Sequence, residues 1–481
     1  MTRADGSVTV GPALPAADAG FSPKKLLQLL GISALYLVLV TLPTPAGLTP
    51  AAQKALALMV AAVLTWVLEV IPIGIASVLF VFLQGPLGIY PLGEAVTNFS
   101  TPTIFFIMAM FLIATAFEES GLGRRLSLWL ASLAGSNPRY VLLSFMLPTA
   151  ILSMVLADIP TAVMFASIAL GLLERTGCLP GKSNFGRAVM MGIPIAASIG
   201  GIGTPAGSGI NVMALGLLKD TAHVNVNFLQ WSALGIPLVL ILTPIAWLIL
   251  TWVVPFEIKE VSGLDKVRAD LRRLGPLSAG EKRFVGIFAM TIVLWFTEPF
   301  HRIPAPFVAV ATAALFFAPG VNLLNWKEAS GRIGWDVILL VGAANSLALS
   351  LWKLGAAKWL ATGILGGLGH TTLLTLVLII AAFGVFSHLL IPVATGLLAV
   401  MIPALAVLAA GMGVNPAALV IPIAFTASCV FLLPLDPIPL VTYPYGYYKM
   451  LDMFKPGVLI ALVWIVLLAF LIVGATGAGL I

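Results

Sequence analysis

Apolar residues run along this chain in long blocks that are separated by short polar segments. An α-helix needs about 20 consecutive apolar residues to cross the hydrocarbon core of a bilayer. The pattern therefore predicts an all-α integral membrane protein with about 11 transmembrane helices. Blocks near the required length lie at 26–43, 52–69, 71–89, 103–118, 187–218, 231–255, 284–299, 304–319, 335–352, 415–443 and 457–480.

Two further apolar segments, 139–175 and 371–410, are interrupted near their middle. The first is broken around residues 158–160 and the second around residues 388–392. Each segment is interpreted as two half-helices, because it is too short for two full spans. Irregular backbone at membrane depth is tolerated only where protein buries it or where it lines a wet cavity. We therefore predict two re-entrant hairpins.

Short motifs from the first half of the chain recur in the second half. Trp66-Val67-Leu68-Glu69 recurs as Trp295-Phe296-Thr297-Glu298, which lies 229 positions later. The break at 158–162 lies opposite 392–396, and the glycine-rich break at 200–211 lies opposite the proline-rich 433–440. Five spans plus a hairpin in each half would turn the second half over in the membrane. The chain is therefore predicted to hold two inverted repeats, at 51–255 and 284–481.

The charged residues lie mostly in segments between the apolar blocks. The most charged stretch, 256–283, is predicted to be a cytoplasmic amphipathic linker between the repeats. Residues 1–23 are small, polar and rich in Pro and Gly, which predicts a disordered cytoplasmic tail. Residues 24–50 follow as the first transmembrane helix, which begins with two lysines. Basic residues favour the cytoplasmic side, so we expect a multi-pass protein of the plasma (inner) membrane with its N-terminus in the cytoplasm.

Composition supports the membrane assignment and excludes several classes of protein. Only 9% of the 481 residues are charged and 60% are hydrophobic, whereas a soluble chain carries about 25% charged residues. The net charge of +6 comes from loops beside apolar blocks, so nucleic acid is not an expected partner. The two cysteines and four histidines are scattered, and we predict neither a metal site nor a tightly bound cofactor. The chain has no GxxxxGK[ST] loop, which disfavours a nucleotide-driven pump.

Paired broken segments are the best sequence indication of a transporter site. Helix N-termini at such breaks present free N–H groups and the positive end of a dipole, which suits an anion without any Arg or Lys. Four breaks, at 153–161, 200–211, 387–396 and 433–440, are therefore expected to meet near the midplane. We predict a secondary transporter that binds a small anionic substrate.

Several motifs resemble the divalent anion:sodium symporters, the solute carrier 13 type, over about residues 50–460. They are Trp66 to Glu69 with Ile71-Pro72, Glu119 to Leu122 with Arg124-Arg125-Leu126, Ser198 to Thr204 with Asn211, and Gly446-Tyr447 with Lys449-Met450, Asp452-Met453 and Lys455. The resemblance implies an eleven-span homodimer in which a transport domain moves against a scaffold like an elevator. It also implies transport of small organic anions of the dicarboxylate or sulfonate type, driven by a cation gradient or by exchange.

The family carries Ser-Asn-Thr at both hairpin tips, where this chain has 157–159 as Ala-Asp-Ile and 391–393 as Ile-Pro-Val. Matched position by position, the resemblance implies two sets of site residues. The substrate-binding set is Asp158, Ile159, Thr161, Thr204, Ser208, Asn211, Pro392, Val393, Thr395 and Pro437. The coupling-ion set is Ser153, Asp158, Gly203, Ser387 and Asp436, and Na⁺ or H⁺ both remain candidates for the ion.

Asp158 and Asp436 are the main candidates for chemistry, because a charge at membrane depth is costly and usually functional. Each could ligate sodium, exchange a proton, pair with the ammonium group of a zwitterionic substrate, or cap a half-helix. His388 is interpreted as a packed histidine rather than a proton relay, and Glu69 and Glu298 as residues at span ends. The rival functions are a cation/proton antiporter and, less favoured, an integral-membrane enzyme. We predict that the protein is not an enzyme.

Overall fold

The structure is a computed structural model that describes residues 23–133, 135–262, 264–364, 371–389 and 394–481. The predicted tail, apart from Pro23, lies outside the described residues. So do Pro392 and Val393 of the predicted substrate site.

Within the described residues the chain forms helices joined by turns and loops, and it contains no strand. The first part holds α1 Pro23–Thr41, α2 Pro50–Leu68, α3 Ile73–Leu83, α4 Leu92–Phe99, α5 Pro102–Glu119, α6 Leu122–Leu133, α7 Pro138–Leu156, α8 Asp158–Thr176, α9 Asn184–Gly201, α10 Gly209–Ala222 and α11 Phe228–Val253. The second part holds α12 Leu264–Arg273, α13 Ala279–Phe296, α14 Glu298–His301, α15 Ala305–Phe317, α16 Trp326–Ala329, α17 Trp335–Lys353, α18 Ala356–Ile364, α19 Leu373–Ser387, α20 Ala394–Met412, α21 Ala417–Thr426, α22 Pro437–Leu440 and α23 Phe454–Gly477.

Several long helices begin with a capping residue followed by proline. The side chain of Thr49 accepts a hydrogen bond from the Ala52 amide at the start of α2, and Asn137 caps α7 in the same way. Proline at the first helical position suits this arrangement, because its fixed φ matches the helix and its missing N–H would have no partner there. The starts of α2 and α7 are thus set by local sequence.

Nine helical stretches within the described residues are long and apolar enough to cross a membrane. Four further apolar helices, α3, α15, α19 and α21, are shorter. The predicted all-α membrane fold is confirmed, while the count of eleven transmembrane helices stays a prediction.

Apart from the four-residue helix α14, the order of longer and shorter helices from α13 to α23 is similar to that from α2 to α11. The packing between the two parts is reciprocal, because α5 packs on α15 and α17 packs on α3. Likewise α10 packs on α20, and α22 packs on α8. The contacts of α10 with α20 and of α22 with α8 matter most for the site. Each joins the helix after one break to the hairpin of the other half.

The first hairpin has longer legs than the sequence analysis expected. Helices α7 and α8 contain 19 residues each, and at about 1.5 Å per residue each is about 28 Å long. The interpretation of 139–175 as two half-length helices is therefore wrong. The proline at position 148 does not end α7, and only Ala157 separates the two legs. In the second hairpin α19 has 15 residues and α20 has 19.

Candidate functional site

The tip of the first hairpin places a carboxyl group at the start of α8. Ala157 turns the chain with φ +65° and ψ 150°, a conformation that favours glycine. Asp158 follows as a buried residue, and its Oδ1 accepts a hydrogen bond from the Ile159 amide at 2.9 Å. Ser208, at the start of α10, lies beside this carboxyl group. The tip is thereby adjacent to the first broken helix.

The first break separates α9 from α10 by a short 3-10 turn, Pro205–Gly207. The amide group of Asn211 donates to the carbonyls of Gly201 and Thr204 at 2.7 and 3.0 Å. The Trp231 indole donates to the Ile202 carbonyl at 2.9 Å. Side chains therefore satisfy carbonyl groups that the broken helix leaves without a partner, as membrane depth requires.

Hydrogen bonds donated by two hydroxyl groups connect this region to the first hairpin. Thr204 donates to the carbonyl of Met154, and Ser153 donates to the carbonyl of Ala197 at 2.7 Å. A Cβ at Gly207 would collide with the backbone carbonyls of Gly201 and Ser153. Glycine is needed at that position because the two backbones approach so closely.

The second break is longer and runs from the end of α21 to the start of α22. Asp436 caps α22, and its Oδ1 accepts a hydrogen bond from the Ile438 amide at 3.2 Å. Asp158 and Asp436 line the same cavity, which is described below. Each half therefore supplies one aspartate at a helix start.

A cavity of about 290 Å³ lies where the two halves meet. Much of its wall is apolar and includes Trp66, Phe106, Ile107, Phe111, Val337 and Leu340. Its charged or hydroxyl-bearing lining residues are Glu69, Asp158, Ser208, Thr395, Ser428 and Asp436. None of the described residues that line the cavity is Lys, Arg or His. The cavity thus combines three carboxyl groups with a largely apolar surface.

The predicted site residues divide into two groups. Those that line the cavity are Asp158, Ile159, Ser208, Thr395, Asp436 and Pro437. Those that do not line it are Ser153, Thr161, Gly203, Thr204, Asn211 and Ser387. The hydroxyls of Thr161 and Ser387 donate to backbone carbonyls within their own hairpins, at 2.7 and 3.0 Å. The second group holds the backbone of the hairpins and the first break in place.

The sequence analysis missed several parts of the cavity. Ser428 lines it, and the repeat could have revealed this residue, since it lies 230 positions after Ser198. Glu69 was assigned to a span end, and it does cap α2 with φ 45°, yet it also lines the cavity. The apolar wall carries no motif that separates it from ordinary helix packing.

A second, much smaller cavity of about 10 Å³ lies beside Asp436 and is also lined by His388. This is about the volume that a single water molecule requires. His388 is buried, and neither ring nitrogen has a hydrogen-bond partner among the described residues. Within the same residues no group of three or more His, Cys, Asp or Glu side chains could hold a metal ion.

Long apolar helices, two broken helices and a cavity between two similar halves define a polytopic secondary transporter. The model of the sodium:sulfate symporter transmembrane region matches residues 23–477. The chain belongs to this family. The resemblance to the divalent anion:sodium symporters is therefore confirmed.

Known membrane proteins are similar to most of the chain. A membrane protein of Cupriavidus necator is 27% identical over 442 residues, which cover 86% of this chain and 85% of that protein. The sodium-dependent dicarboxylate transporter SdcS of Staphylococcus saprophyticus is 26% identical over 446 residues, which cover 86% and 84%. SdcS of Staphylococcus aureus is 26% identical over 449 residues, which cover 87% and 85%.

Two solved structures share the fold at low sequence identity. The YdaH transporter of Alcanivorax borkumensis superposes with a TM-score of 0.55 at 15% identity, covering 95% of this chain and 97% of that chain. The antimetabolite efflux pump MtrF of Neisseria gonorrhoeae gives 0.53 at 12% identity, covering 93% and 94%. Both similarities concern the fold alone.

Proposed function

We propose that this protein is a secondary active transporter that moves small organic anions of the dicarboxylate or sulfonate type through the cavity between its halves. The observation that carries the proposal is the meeting of two broken helices and two aspartates at one cavity. Family membership and the dicarboxylate carriers among its relatives favour the substrate class. The protein is accordingly a carrier and not an enzyme.

In this proposal the substrate is held by the breaks and not by basic side chains. The first amides of α10 have no side-chain cap. Free amides at a helix start attract an anionic group. Ile159, Thr395 and Pro437 complete the contact surface, as do the predicted contacts Pro392 and Val393. Thr161, Thr204 and Asn211 do not contact the substrate, and they hold the backbone of the site in place through hydrogen bonds to carbonyl groups.

Coupling is assigned to Asp158 and Asp436. A carboxyl group that lines a cavity at membrane depth is a favourable site for Na⁺ or H⁺, because the cation offsets its charge. The small cavity between Asp436 and His388 offers room for one water-sized species beside the carboxyl group. Ser153, Gly203 and Ser387 position the backbone around these sites. The gradient or an exchanged anion would supply the driving force.

The proposal extends to the whole molecule. The carrier would be a homodimer in the plasma membrane with a cytoplasmic N-terminus, a linker over 256–283 on the same side, and two inverted repeats. Hairpins 139–175 and 371–410 would open to opposite faces. Transport would proceed by an elevator movement of the hairpins and broken helices against a scaffold that includes α5 and α17.

Uptake by proteoliposomes tests the function. Radiolabelled succinate and ethanesulfonate would be offered under an inward sodium gradient, an inward proton gradient, or with unlabelled anion inside. Accumulation of at least one anion under one of these conditions is expected. Absence of any anion movement, together with sodium-driven proton release detected by an internal pH dye, would establish the rival function of cation/proton antiport.

A further inference from the structure

The lining of the cavity between the two halves contains acidic side chains, which is unusual for a site that binds an anion. It includes the carboxyl groups of Glu69, Asp158 and Asp436 and none of its described residues is basic. Asp158 and Asp436 each accept a hydrogen bond from an amide at the start of their own helix. The protein's own carboxyl groups therefore occupy two positions where a substrate carboxylate would otherwise meet helix amides.

A substrate that carries only negative charge would be repelled by these two carboxyl groups. An ammonium group between them would instead gain two charge-assisted hydrogen-bond partners. Burial of a charged group is tolerated when it is paired in this way. The aspartates are suited to this role because they come from opposite halves and yet line the same cavity.

The same cavity also offers a separate place for an acidic group. The first amides of α10, a 14-residue helix, lack a side-chain cap and line the cavity at Gly209 and Ile210. Thr395 and Ser428 line it too, and the hydroxyl of neither residue has a hydrogen-bond partner among the described residues. These residues are only 5% and 1% exposed, so bulk water does not satisfy them. Buried hydroxyls without a partner are costly, and an acidic group would supply acceptors for them.

We infer that the transported anion also carries an ammonium group, which binds between Asp158 and Asp436 while its acidic group binds at the start of α10 with Thr395 and Ser428. This inference rests on the proposed function and narrows the substrate class to amino-substituted sulfonic or carboxylic acids. The apolar wall then contacts the short carbon skeleton between the two charged groups.

Matched substrate pairs test the inference on the purified full-length protein. The probes are 2-aminoethanesulfonate against 2-hydroxyethanesulfonate, and aspartate against malate, with binding measured by isothermal titration calorimetry at fixed sodium and pH. Within each pair only the ammonium group is exchanged for a hydroxyl. We expect at least one amino compound to bind 10-fold or more tightly than its hydroxy partner.

Variants then locate the ammonium group. Asp158→Asn and Asp436→Asn should each bring the amino-to-hydroxy affinity ratio towards one. Asp220→Asn is the matched control, because Asp220 lies near the end of α10, does not line the cavity and should leave the ratio unchanged. Thermal unfolding of each variant reports whether it is folded. The amino-to-hydroxy affinity ratio of the unsubstituted protein tests whether the substrate carries an ammonium group, even if an aspartate variant does not fold.

The possible results separate the inference from the proposed function. Equal or stronger binding of the hydroxy compounds would overturn the inference and leave anion transport intact. The same holds if neither pair binds while succinate or ethanesulfonate is transported. Persistence of the amino preference in both folded asparagine variants would overturn the assignment of the two aspartates. Absence of transport of every compound tested, with the two amino compounds included, would remove the proposed function, and the inference with it.

Discussion

Asp158 and Asp436 combine two roles that the sequence analysis treated as alternatives. Each accepts a hydrogen bond from an amide at the start of a helix, and each lines the cavity. A carboxylate at a helix start is stabilised by the helix dipole, typically by about 0.3–1 kcal/mol at exposed sites. The same interaction fixes the orientation of the carboxyl group towards the cavity. The hydrogen bond at the helix start therefore prepares each of these residues for binding and does not argue against it.

Asp436→Asn is predicted to uncouple transport. Asparagine keeps the size and can still accept a hydrogen bond from the Ile438 amide, but it loses the negative charge that would attract the coupling cation. The variant should lose accumulation driven by the gradient and retain exchange of labelled for unlabelled substrate in proteoliposomes. Asp220→Asn should behave like the unsubstituted protein. Full accumulation by Asp436→Asn with unchanged ion dependence would reduce Asp436 to a structural cap.

Ala157→Gly is predicted to stabilise the protein. Residue 157 has φ +65° and ψ 150°, a region that only glycine adopts readily, and a strained residue there costs about 1–3 kcal/mol. Glycine removes this strain and loses part of the gain because it is more flexible in the unfolded chain. The melting temperature in detergent, followed by tryptophan fluorescence, should rise.

Ala162→Gly supplies the opposite control for this prediction. Ala162 lies buried in the second turn of α8, where glycine costs about 1 kcal/mol relative to alanine. Its melting temperature should fall. A fall of similar size in both variants would show that residue 157 is not strained.

At the scale of elements, an ion pair joins α6 to the start of α13. The Arg125 guanidinium donates to both carboxylate oxygens of Glu281, at 2.6 and 3.0 Å. Glu281 also completes the capping box of α13 with Ser278, and it is only 4% exposed. Arg125 further donates to the carbonyl of Gly275 at 2.7 Å. One side chain thus connects the hairpin side of the first half to the linker before the second.

The hydrogen bond from Arg125 lowers the pKa of Glu281 below its ordinary value. A carboxyl group with a lowered folded-state pKa stabilises the protein fully above its unfolded-state pKa, which is about 4.3 for glutamate. The stabilisation is lost as the pH falls through the lower folded-state pKa. Glu281→Gln should therefore lower the melting temperature at pH 7, and the difference from the unsubstituted protein should shrink below about pH 4.3.

Glu298→Gln is the matched control for this ion pair, because Glu298 accepts from the Phe228 amide at 3.3 Å and does not contact Arg125. Glu298→Gln should leave the ion pair between Arg125 and Glu281 intact. Arg125→Lys should therefore still lower the melting temperature in a Glu298→Gln background. The same change in a Glu281→Gln background should have a much smaller effect. A Glu281→Gln difference that persists unchanged at the lowest pH would exclude ionic stabilisation by this pair.

At the scale of the whole molecule, helices of each half pack on helices of the other half. The helix after the first break packs on the second hairpin, and the helix after the second break packs on the first. A cavity between the halves therefore receives an aspartate, hydroxyls and apolar side chains from both. Movement of either hairpin would change both sides of the cavity together, which suits alternating access.

Inverted repeats predict that equivalent positions lie on opposite sides of the membrane. Leu179 follows α8, and Asn415 is its counterpart after α20, with both displaced three residues from a helix end. Both residues are exposed. Leu179→Cys and Asn415→Cys should react with a membrane-impermeant maleimide from opposite sides in oriented vesicles. Labelling of both from the same side would overturn the inverted arrangement.

The unsubstituted protein is the control for this labelling, because its two cysteines, Cys178 and Cys429, are both buried. They should not react unless the protein unfolds. Labelling before and after addition of detergent confirms that each new cysteine is reachable in principle.

Local sequence was sufficient for the class of fold and for the positions of the breaks. Long apolar blocks can only be spanning or buried helices, so their lengths and their flanking prolines predicted most spans to within a few residues. The breaks at 158 and 202–208 were predicted because an Asp followed by a proline, and a cluster of glycines with a proline, interrupt the apolar segments there. These are properties of neighbouring residues, and tertiary packing does not alter them.

Tertiary structure alone decided which residues share the cavity. Asp158 and Asp436 are 278 positions apart, and Phe106 joins the same cavity although it belongs to no motif. Thr204 and Asn211, which resemble site residues, are directed instead to backbone carbonyls of the break and the hairpin. Hydrogen bonds at a broken helix compete for the same polar side chains that a substrate would use. A polar side chain bonds either to the backbone or to the substrate, depending on the distances between helices. These distances are set only when the two halves pack together.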